Sequence, residues 1–474
     1  MKIVLVFGNF KAVHLGHFRL FEYARSLGNQ LIVGIKVDED KSANTEFSES
    51  LIKSIQFVGK VVKFTDIEKL LDEVEPDVVV RGQEFKNSPD QINELVRNRG
   101  IELFFGSGST HLSEADFREY SGAGISVRGS FKKYIQAKDI SREKLQEILK
   151  NFQGIRVTVV GDLIIDEYIS CQAIGMSQED PVVVSTPIGD SRFIGGAGIV
   201  AAHCKAMGAE VRLISLVGDD DASQWAEQRL SESGIATNFV HDSTRPTVVK
   251  QRYKNANHTL FRLTHFRAEE PDQKYLNQLI SAIESSITQC DVLIFSDFSY
   301  GTLQSNVVKA TQDFLRKISV KPIVTADSQS SSQLGSLSKF RGVDLITPTE
   351  YEARVELRNE IDGIAMLTQQ LGKSLEVNSI VLKLGIDGVL IGGFQAGQES
   401  IPTDRIPSLN ENPVDVSGAG DSLLAVGSLT IAGGYSLYES ALMGSIAAGV
   451  QVSRRGNVPI DVSEMEEAIK SIFL

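Results

Sequence analysis

The first part of the chain alternates short apolar runs with amphipathic stretches. Residues 2–7 carry the pattern of a buried strand, a Gly-containing turn follows, and a helical period runs over His17–Leu27. Strand patterns recur at Gln30–Val37, Lys60–Phe64, Asp77–Arg81 and Glu102–Phe105. Helical patterns lie between them, as at Ile67–Val74, and a last one covers Glu114–Tyr120. Strands that alternate with helices predict a parallel sheet covered on both faces, a doubly wound α/β unit.

From Ser121 to Asp139 the periodicity lapses in sequence containing Gly122, Gly124, Gly129, Lys132 and Lys133. This predicts a boundary near residue 130, with one domain over 1–130 and another over 131–474. Ser141 is a candidate N-cap for a helix ending before Gly154, and Arg156–Val160 opens a second strand–helix alternation that runs to the C-terminus. Two regions break that rhythm. Tyr168–Arg192 and Thr247–Arg267 are rich in β-branched and aromatic residues with turn signals between them. They predict antiparallel strands added to the parallel core as a small β lid.

Composition narrows the function classes. The 474 residues are 42% hydrophobic and 23% charged, enough for two ordered cores. A net charge of −13 argues against general binding to nucleic acid or to an anionic membrane, and no apolar run reaches spanning length. Cys171, Cys204 and Cys290 are widely spaced and show neither a disulfide framework nor metal-ligand spacing. With no signal-peptide pattern at the start, the expected location is the cytoplasm.

The densest candidate chemistry is Asp415-Val416-Ser417-Gly418-Ala419-Gly420-Asp421-Ser422, followed by the apolar helical run Leu423–Ile431. Gly418, Ala419 and Gly420 offer backbone N–H groups at a helix N-terminus, where the dipole favours an anion. Asp421, at the mouth of that nest, is placed to take the proton of an attacking hydroxyl. The competing reading is a Gly-rich turn with a capping Asp.

From about Gly154 to its end the chain resembles the ribokinase-like (PfkB) sugar kinases. The collinear matches are Gly161-Asp162-Leu163-Ile164-Ile165-Asp166, read as a first strand with a terminal sugar-binding Asp, Ile194-Gly195-Gly196-Ala197-Gly198, and Val217-Gly218-Asp219-Asp220. Thr347-Pro348-Thr349-Glu350-Tyr351-Glu352, Leu384-Gly385-Ile386-Asp387-Gly388 and Ala447-Ala448-Gly449 follow. The resemblance implies a ribokinase-like α/β domain with Asp421 as base beside Gly418, Ala419 and Gly420. It implies a sugar at Asp166, Gly195 and Gly196, a nucleotide at Lys383, Gly385, Gly388, Ser445 and Gly449, and Mg²⁺ held through water by Glu352. It further implies ATP as co-substrate, a monovalent cation as a candidate cofactor, and a homodimer, since lid strands often pair across a two-fold axis in this family.

Three segments, Ser177–Val182, Pro246–Arg252 and Ser296–Gly301, are similar to the bifunctional heptose-7-phosphate kinase/heptose-1-phosphate nucleotidylyltransferases. Gly175, Ile199, Tyr300 and Thr349 stand where that group carries Arg, Asn, Lys and Asn, which leaves the acceptor open. Lys250, Arg252 and Arg262 are candidate phosphate contacts, or else solvated charges on exposed strand faces.

Near the start, Phe7-Gly8-Asn9-Phe10-Lys11-Ala12-Val13-His14-Leu15-Gly16-His17 resembles the His-x-Gly-His signature of cytidylyltransferase-like enzymes. The resemblance implies a nucleotide site at Gly8, His14, Gly16, His17 and Arg81. Lys11 replaces the signature Asp, and Glu114 and Ala115 stand where two Thr would grip phosphate, with Ser109-Thr110 as an alternative alignment, so weak or degenerate nucleotidyl transfer is expected. The domain order is reversed relative to the heptose enzymes. The expected function is an ATP-dependent kinase for a sugar or sugar phosphate feeding nucleotide-sugar synthesis. A fully bifunctional enzyme and a sugar-phosphate sensor or scaffold are the alternatives.

Overall fold

A computed structural model describes residues 2–10, 15–37, 44–53, 55, 57–82, 85, 91–106, 134–135, 138–180, 182–255, 258–329, 335–393, 403–410, 413, 415–454 and 456–473. The chain divides into two compact units, Met1–Ser126 with Asn359–Leu367, and Val127–Arg358 with Thr368–Leu474. The expected helix Glu114–Tyr120 lies outside the described residues.

In the first unit β1 (Ile3–Gly8), β2 (Gln30–Lys36), β3 (Lys60–Phe64), β4 (Val78–Gly82) and β5 (Glu102–Gly106) form a sheet of order β3-β2-β1-β4-β5. Every pairing is parallel. Val4, Val6, Val33 and Val80 pack on one face with Phe21 of the helix Leu15–Ser26. Leu5, Ile32 and Val79 pack on the other with Leu70 and Leu71 of the helix Ile67–Val74. Burial on both faces explains why Val78-Val79-Val80 is apolar without alternation. The strand order reverses between β1 and β4, which puts the ligand crevice of such a sheet at their carboxyl ends.

The second unit opens with the helix Arg142–Lys150, where Ser141 Oγ accepts the Lys144 N–H at 3.1 Å as an N-cap. Its main sheet is built from β6 (Arg156–Gly161), β9 (Glu210–Gly218), β10 (Ala236–Asp242), β13 (Val292–Asp297), β14 (Ile323–Ser328), β15 (Leu345–Ile346), β16 (Ser379–Lys383), β17 (Val389–Gly393) and β18 (Thr403–Ile406). The order is β10-β9-β6-β13-β14-β15-β16-β17-β18. Pairings are parallel as far as β16, and β17 and β18 then add in antiparallel fashion. The helices Ala197–Ala206, Ala419–Ala432 and Leu437–Gln451 pack into the core against this sheet, which is why their sequences are apolar nearly all round.

A separate sheet of order β12-β11-β7-β8 consists of β7 (Leu163–Met176), β8 (Val183–Gly196), β11 (Val248–Asn255) and β12 (His258–His265). Both hairpins are antiparallel as expected, but β7 and β11, which join them, run parallel. The reason is topological. β7 follows the carboxyl end of β6 and β11 follows that of β10, so both strands leave the carboxyl end of the main sheet in the same direction. Asp166 is accordingly not the end of the first strand, which stops at Gly161, but an interior residue of β7. Among the described residues no helix is long and apolar enough to cross a membrane.

Candidate active site

Gly418 precedes the helix Ala419–Ala432 with φ 80°, a left-handed conformation that glycine adopts without cost. The first-turn N–H groups of a helix have no intrahelical acceptor, so this entry presents donors and the positive dipole end together. Asp421, 6% exposed, sits in that first turn and accepts from Gln329 Nε2 at 2.8 Å. Burial pushes its carboxyl up to about 6, with Lys383 working in the opposite direction. A carboxylate of that basicity suits proton abstraction from a hydroxyl near neutral pH.

Lys383, the last residue of β16, is paired with Asp327 at 2.7 Å; the Asp327 carboxyl is buried and the Lys383 side chain nearly so. A Cβ on Gly420 would stand 3.1 Å from Lys383 Nζ, so this cation lies against the nest. Burial disfavours its charge, but Asp327 and Glu352 more than restore it, and its pKa stands above the usual lysine value. Asp327, at the end of β14, is pushed up to about 7 by burial, against the pull of Lys383. The sequence singled out Lys383 for the nucleotide. Asp327 and Gln329 it missed, although both fall at the carboxyl end of a buried strand, where α/β sheets place their sites.

The expected sugar residues converge. Asp166 is buried, with Arg252 Nη1 on Oδ1 and Asn457 Nδ2 on Oδ2, the latter at 3.1 Å. A Cβ on Gly195 would collide with Asp166 Oδ2, and Gly196 has φ 57°, so side chains are excluded here. Arg252 also lies over the Tyr168 ring at 5.1 Å, and Lys250 Nζ stands 5.1 Å from the Tyr300 ring and 5.3 Å from that of Phe298. Arg262 is exposed and pairs directly across from Arg252, which puts the two guanidinium side chains on one face of the lid.

Two buried ion centres hold the turn that carries Tyr300. Asp162 accepts the N–H groups of Phe298, Tyr300 and Thr302 at 2.9, 3.1 and 2.9 Å. Arg245, paired with Asp242 at 3.0 Å, donates to Tyr300 O at 3.2 Å. Arg245 gave no sequence signal beyond preceding Pro246-Thr247.

Glu352 is 5% exposed and forms a capping box with Thr349, accepting its N–H at 2.7 Å. Asp327 Oδ1 and Thr347 Oγ1, both buried, have no hydrogen-bond partner among the described residues. Oxygen donors of this kind suit a hydrated divalent cation. Among the described residues no group of three or more His, Cys, Asp or Glu side chains could hold a metal ion. Gly388 has φ 85° and backs onto the Ile406 carbonyl, while Gly385 has φ 61° with open space where a side chain would start. Ser445 and Gly449 lie on the helix Leu437–Gln451, where Ser445 Oγ is buried without a partner among the described residues and Gly449 meets Leu409.

In the first unit Gly8 and Arg81 stand at the carboxyl ends of β1 and β4, at the reversal of strand order. The Arg81 guanidinium is buried, donates to Asn93 Oδ1 at 2.6 Å and lies 4.5 Å from the Phe85 ring. His17 stands edge-on to Phe10 at 5.0 Å. Gly16 lies in the first turn of the helix Leu15–Ser26, whereas His14, Lys11, Glu114 and Ala115 lie outside the described residues.

A glycine-opened helix N-terminus with a buried carboxyl, beside a mixed α/β sheet and a four-stranded lid, defines a ribokinase-like sugar kinase. Residues 155–462 match the pfkB family carbohydrate kinases, and residues 5–107 match the cytidylyltransferase-like family. The chain belongs to the pfkB carbohydrate kinase family and carries a cytidylyltransferase-like domain ahead of the kinase. It is 32% identical over 321 residues to the bifunctional protein HldE of Nitratiruptor sp., covering 67% of this chain and 65% of that protein. Against the same-named protein of Desulfatibacillum aliphaticivorans it is 29% identical over 323 residues, covering 67% and 64%. The chain thus spans just under two thirds of the length of these relatives. Phosphofructokinase-2 from Escherichia coli in complex with potassium superposes with a TM-score of 0.54 at 15% identity, over 68% of this chain and 100% of that one. At that identity the likeness establishes the fold.

Proposed function

We propose that the second unit transfers the γ-phosphoryl group of ATP to a hydroxyl of a sugar phosphate resembling a heptose phosphate, in a route to nucleotide sugars. The observation that carries this is the buried Asp421 in the first turn after Gly418, with Lys383 against the same turn. Asp421 takes the proton of the acceptor hydroxyl as its oxygen bonds to the γ-phosphorus and the bond to the bridging oxygen of ADP breaks. The first-turn N–H groups and Lys383 face the charge that spreads over the transferring group. Asp166 with Gly195 and Gly196 holds the sugar hydroxyls, and Lys250, Arg252 and Arg262 offer cations to its phosphate. Gly385, Gly388, Ser445 and Gly449 line the nucleotide side. Asp327, Thr347 and Glu352 would hold Mg²⁺ through water, and the ion would neutralise phosphate charge. A monovalent cation is a further candidate cofactor, and a homodimer paired through the lid the proposed assembly.

The first unit is proposed to be a weak or degenerate nucleotidylyltransferase, on the strength of Lys11 and Glu114 in the signature positions. Arg81 at the sheet's reversal point supports the second reading, a fully bifunctional enzyme.

The test is ATP consumption by the full chain against a panel of sugars and sugar phosphates, beside Asp421→Asn. Turnover with a sugar phosphate, reduced by about a hundredfold or more in the variant, is the expected result. Absence of acceptor-dependent turnover across the panel would favour a sensor or scaffold.

A further inference from the structure

Asn457, in the loop after the helix Leu437–Gln451, spans the two halves of the site. It follows Gly456, whose N–H donates to Asp415 Oδ2 at 3.3 Å. Gln451 Nε2 donates to the Gly456 carbonyl at 2.9 Å and to the Ser417 carbonyl at 3.3 Å. The loop is therefore stitched to the residues that lead into the nest. From that anchorage Asn457, 8% exposed, donates through Nδ2 to Asp166 Oδ2 at 3.1 Å. Its Oδ1 is buried with no partner among the described residues, and a Cβ on Gly418 would run into it. Charge fixes the direction of the amide. Turned the other way, it would set an oxygen against the Asp166 carboxylate.

We propose that Asn457 is the positioning residue that registers the sugar-binding carboxylate of Asp166 against the phosphoryl-transfer nest, and that its orphaned amide oxygen accepts a hydroxyl of the bound acceptor. The proposal rests on the kinase reading above. Asp166 and its other partner, Arg252, both belong to the lid sheet. Asn457 belongs to the body, so its bond ties Asp166 to the Gly418 side of the reaction. A displacement of about 1 Å in an acceptor costs much of the rate in a transfer that depends on alignment. The orphaned oxygen adds a reason to bind, because a buried acceptor left unsatisfied is costly and a sugar hydroxyl satisfies it.

The experiment uses Asn457→Asp and Asn457→Ala in the full chain. The probe is the panel sugar or sugar phosphate that the wild-type chain phosphorylates fastest, with ATP and Mg²⁺. Asn457→Asp sets two carboxyls face to face, so one must hold a proton to donate to the other. The other charged or titratable groups around them are Arg252, Asp415, Asp421 and the Tyr168 phenol, all present in the wild-type control. For Asn457→Asp the acceptor KM should rise about tenfold or more near pH 8, recovering towards wild type near pH 6, while the ATP KM stays within about twofold. Asn457→Ala should raise the acceptor KM at both pH values. Independently of any acceptor, the Tm of Asn457→Asp should fall further below wild type as pH rises over the same window. A KM effect shared equally by ATP and acceptor, or a Tm gap that ignores pH, overturns the proposal. If the wild-type chain phosphorylates nothing in the panel, the kinase reading fails by itself, and the proposal, which rests on it, falls with it.

Discussion

At the scale of single residues, the site is a small group of buried charges whose energies can be checked. Asp421 holds its proton up to about pH 6, so the proposed base is lost below that value and kcat/KM should fall about tenfold per pH unit there. The same shift bears on stability. A carboxyl whose folded pKa lies above its unfolded one favours the folded state fully below the unfolded value and loses that contribution as pH rises through about 6. Asp421→Asn should therefore be more stable than wild type near pH 8, by roughly 1–3 kcal/mol at about 1.4 kcal/mol per unit, measured by urea unfolding. Lys383→Met should do the opposite. It strands Asp327 beside Glu352 without its 2.7 Å partner, and losing one member of a buried pair costs about 3–5 kcal/mol. A Lys383→Met protein with unchanged urea midpoint would refute that account.

At the scale of elements, the lid strands carry the proposed sugar residues, and glycine decides how closely they approach. Gly195→Ala would push a methyl into Asp166 Oδ2, so the acceptor KM should rise by about tenfold or more with the ATP KM unchanged. Gly175, in the same sheet, has open space where a side chain would start and no positive φ. Gly175→Ala should leave both constants alone and change stability by no more than about 1 kcal/mol. Equal responses at the two positions would show that the lid tolerates bulk uniformly.

At the scale of the whole molecule, the lid leaves Ile174, Met176, Val183, Val184 and Ile188 exposed on β7 and β8, and Phe261 and Leu263 exposed on the edge strand β12. Exposed large apolar side chains on this scale suit an interaction surface, and the proposed homodimer would cover part of them. Ile188→Lys with Phe261→Lys should shift the chain from dimer to monomer in light scattering, and a wild-type chain already monomeric at micromolar concentration would remove the proposal. For the first unit the measurement is pyrophosphate release from each nucleoside triphosphate with a set of sugar 1-phosphates. Little or none is expected. Robust release abolished by His17→Ala would restore the fully bifunctional reading.

The sequence by itself determined the strands of the first unit and the helix that Ser141 caps, because burial on two faces leaves continuous apolar runs and a cap marks a helix start locally. It also determined the nest, since Gly418, Ala419, Gly420 and Asp421 are contiguous and their chemistry depends on one helix entry. Tertiary structure alone decided the parallel course of β7 and β11, which follows from where β6 and β10 end in the main sheet. It alone brought Gln329 and Lys383 to Asp421, from strands far apart in the chain. The pairings of Arg252 and Asn457 with Asp166 were hidden for the same reason. A local pattern reports which face of an element is buried, whereas a charge's partner depends on the packing of distant segments. For that reason the proposed base was legible in the sequence, whereas its contacts with Gln329 and Lys383 were not.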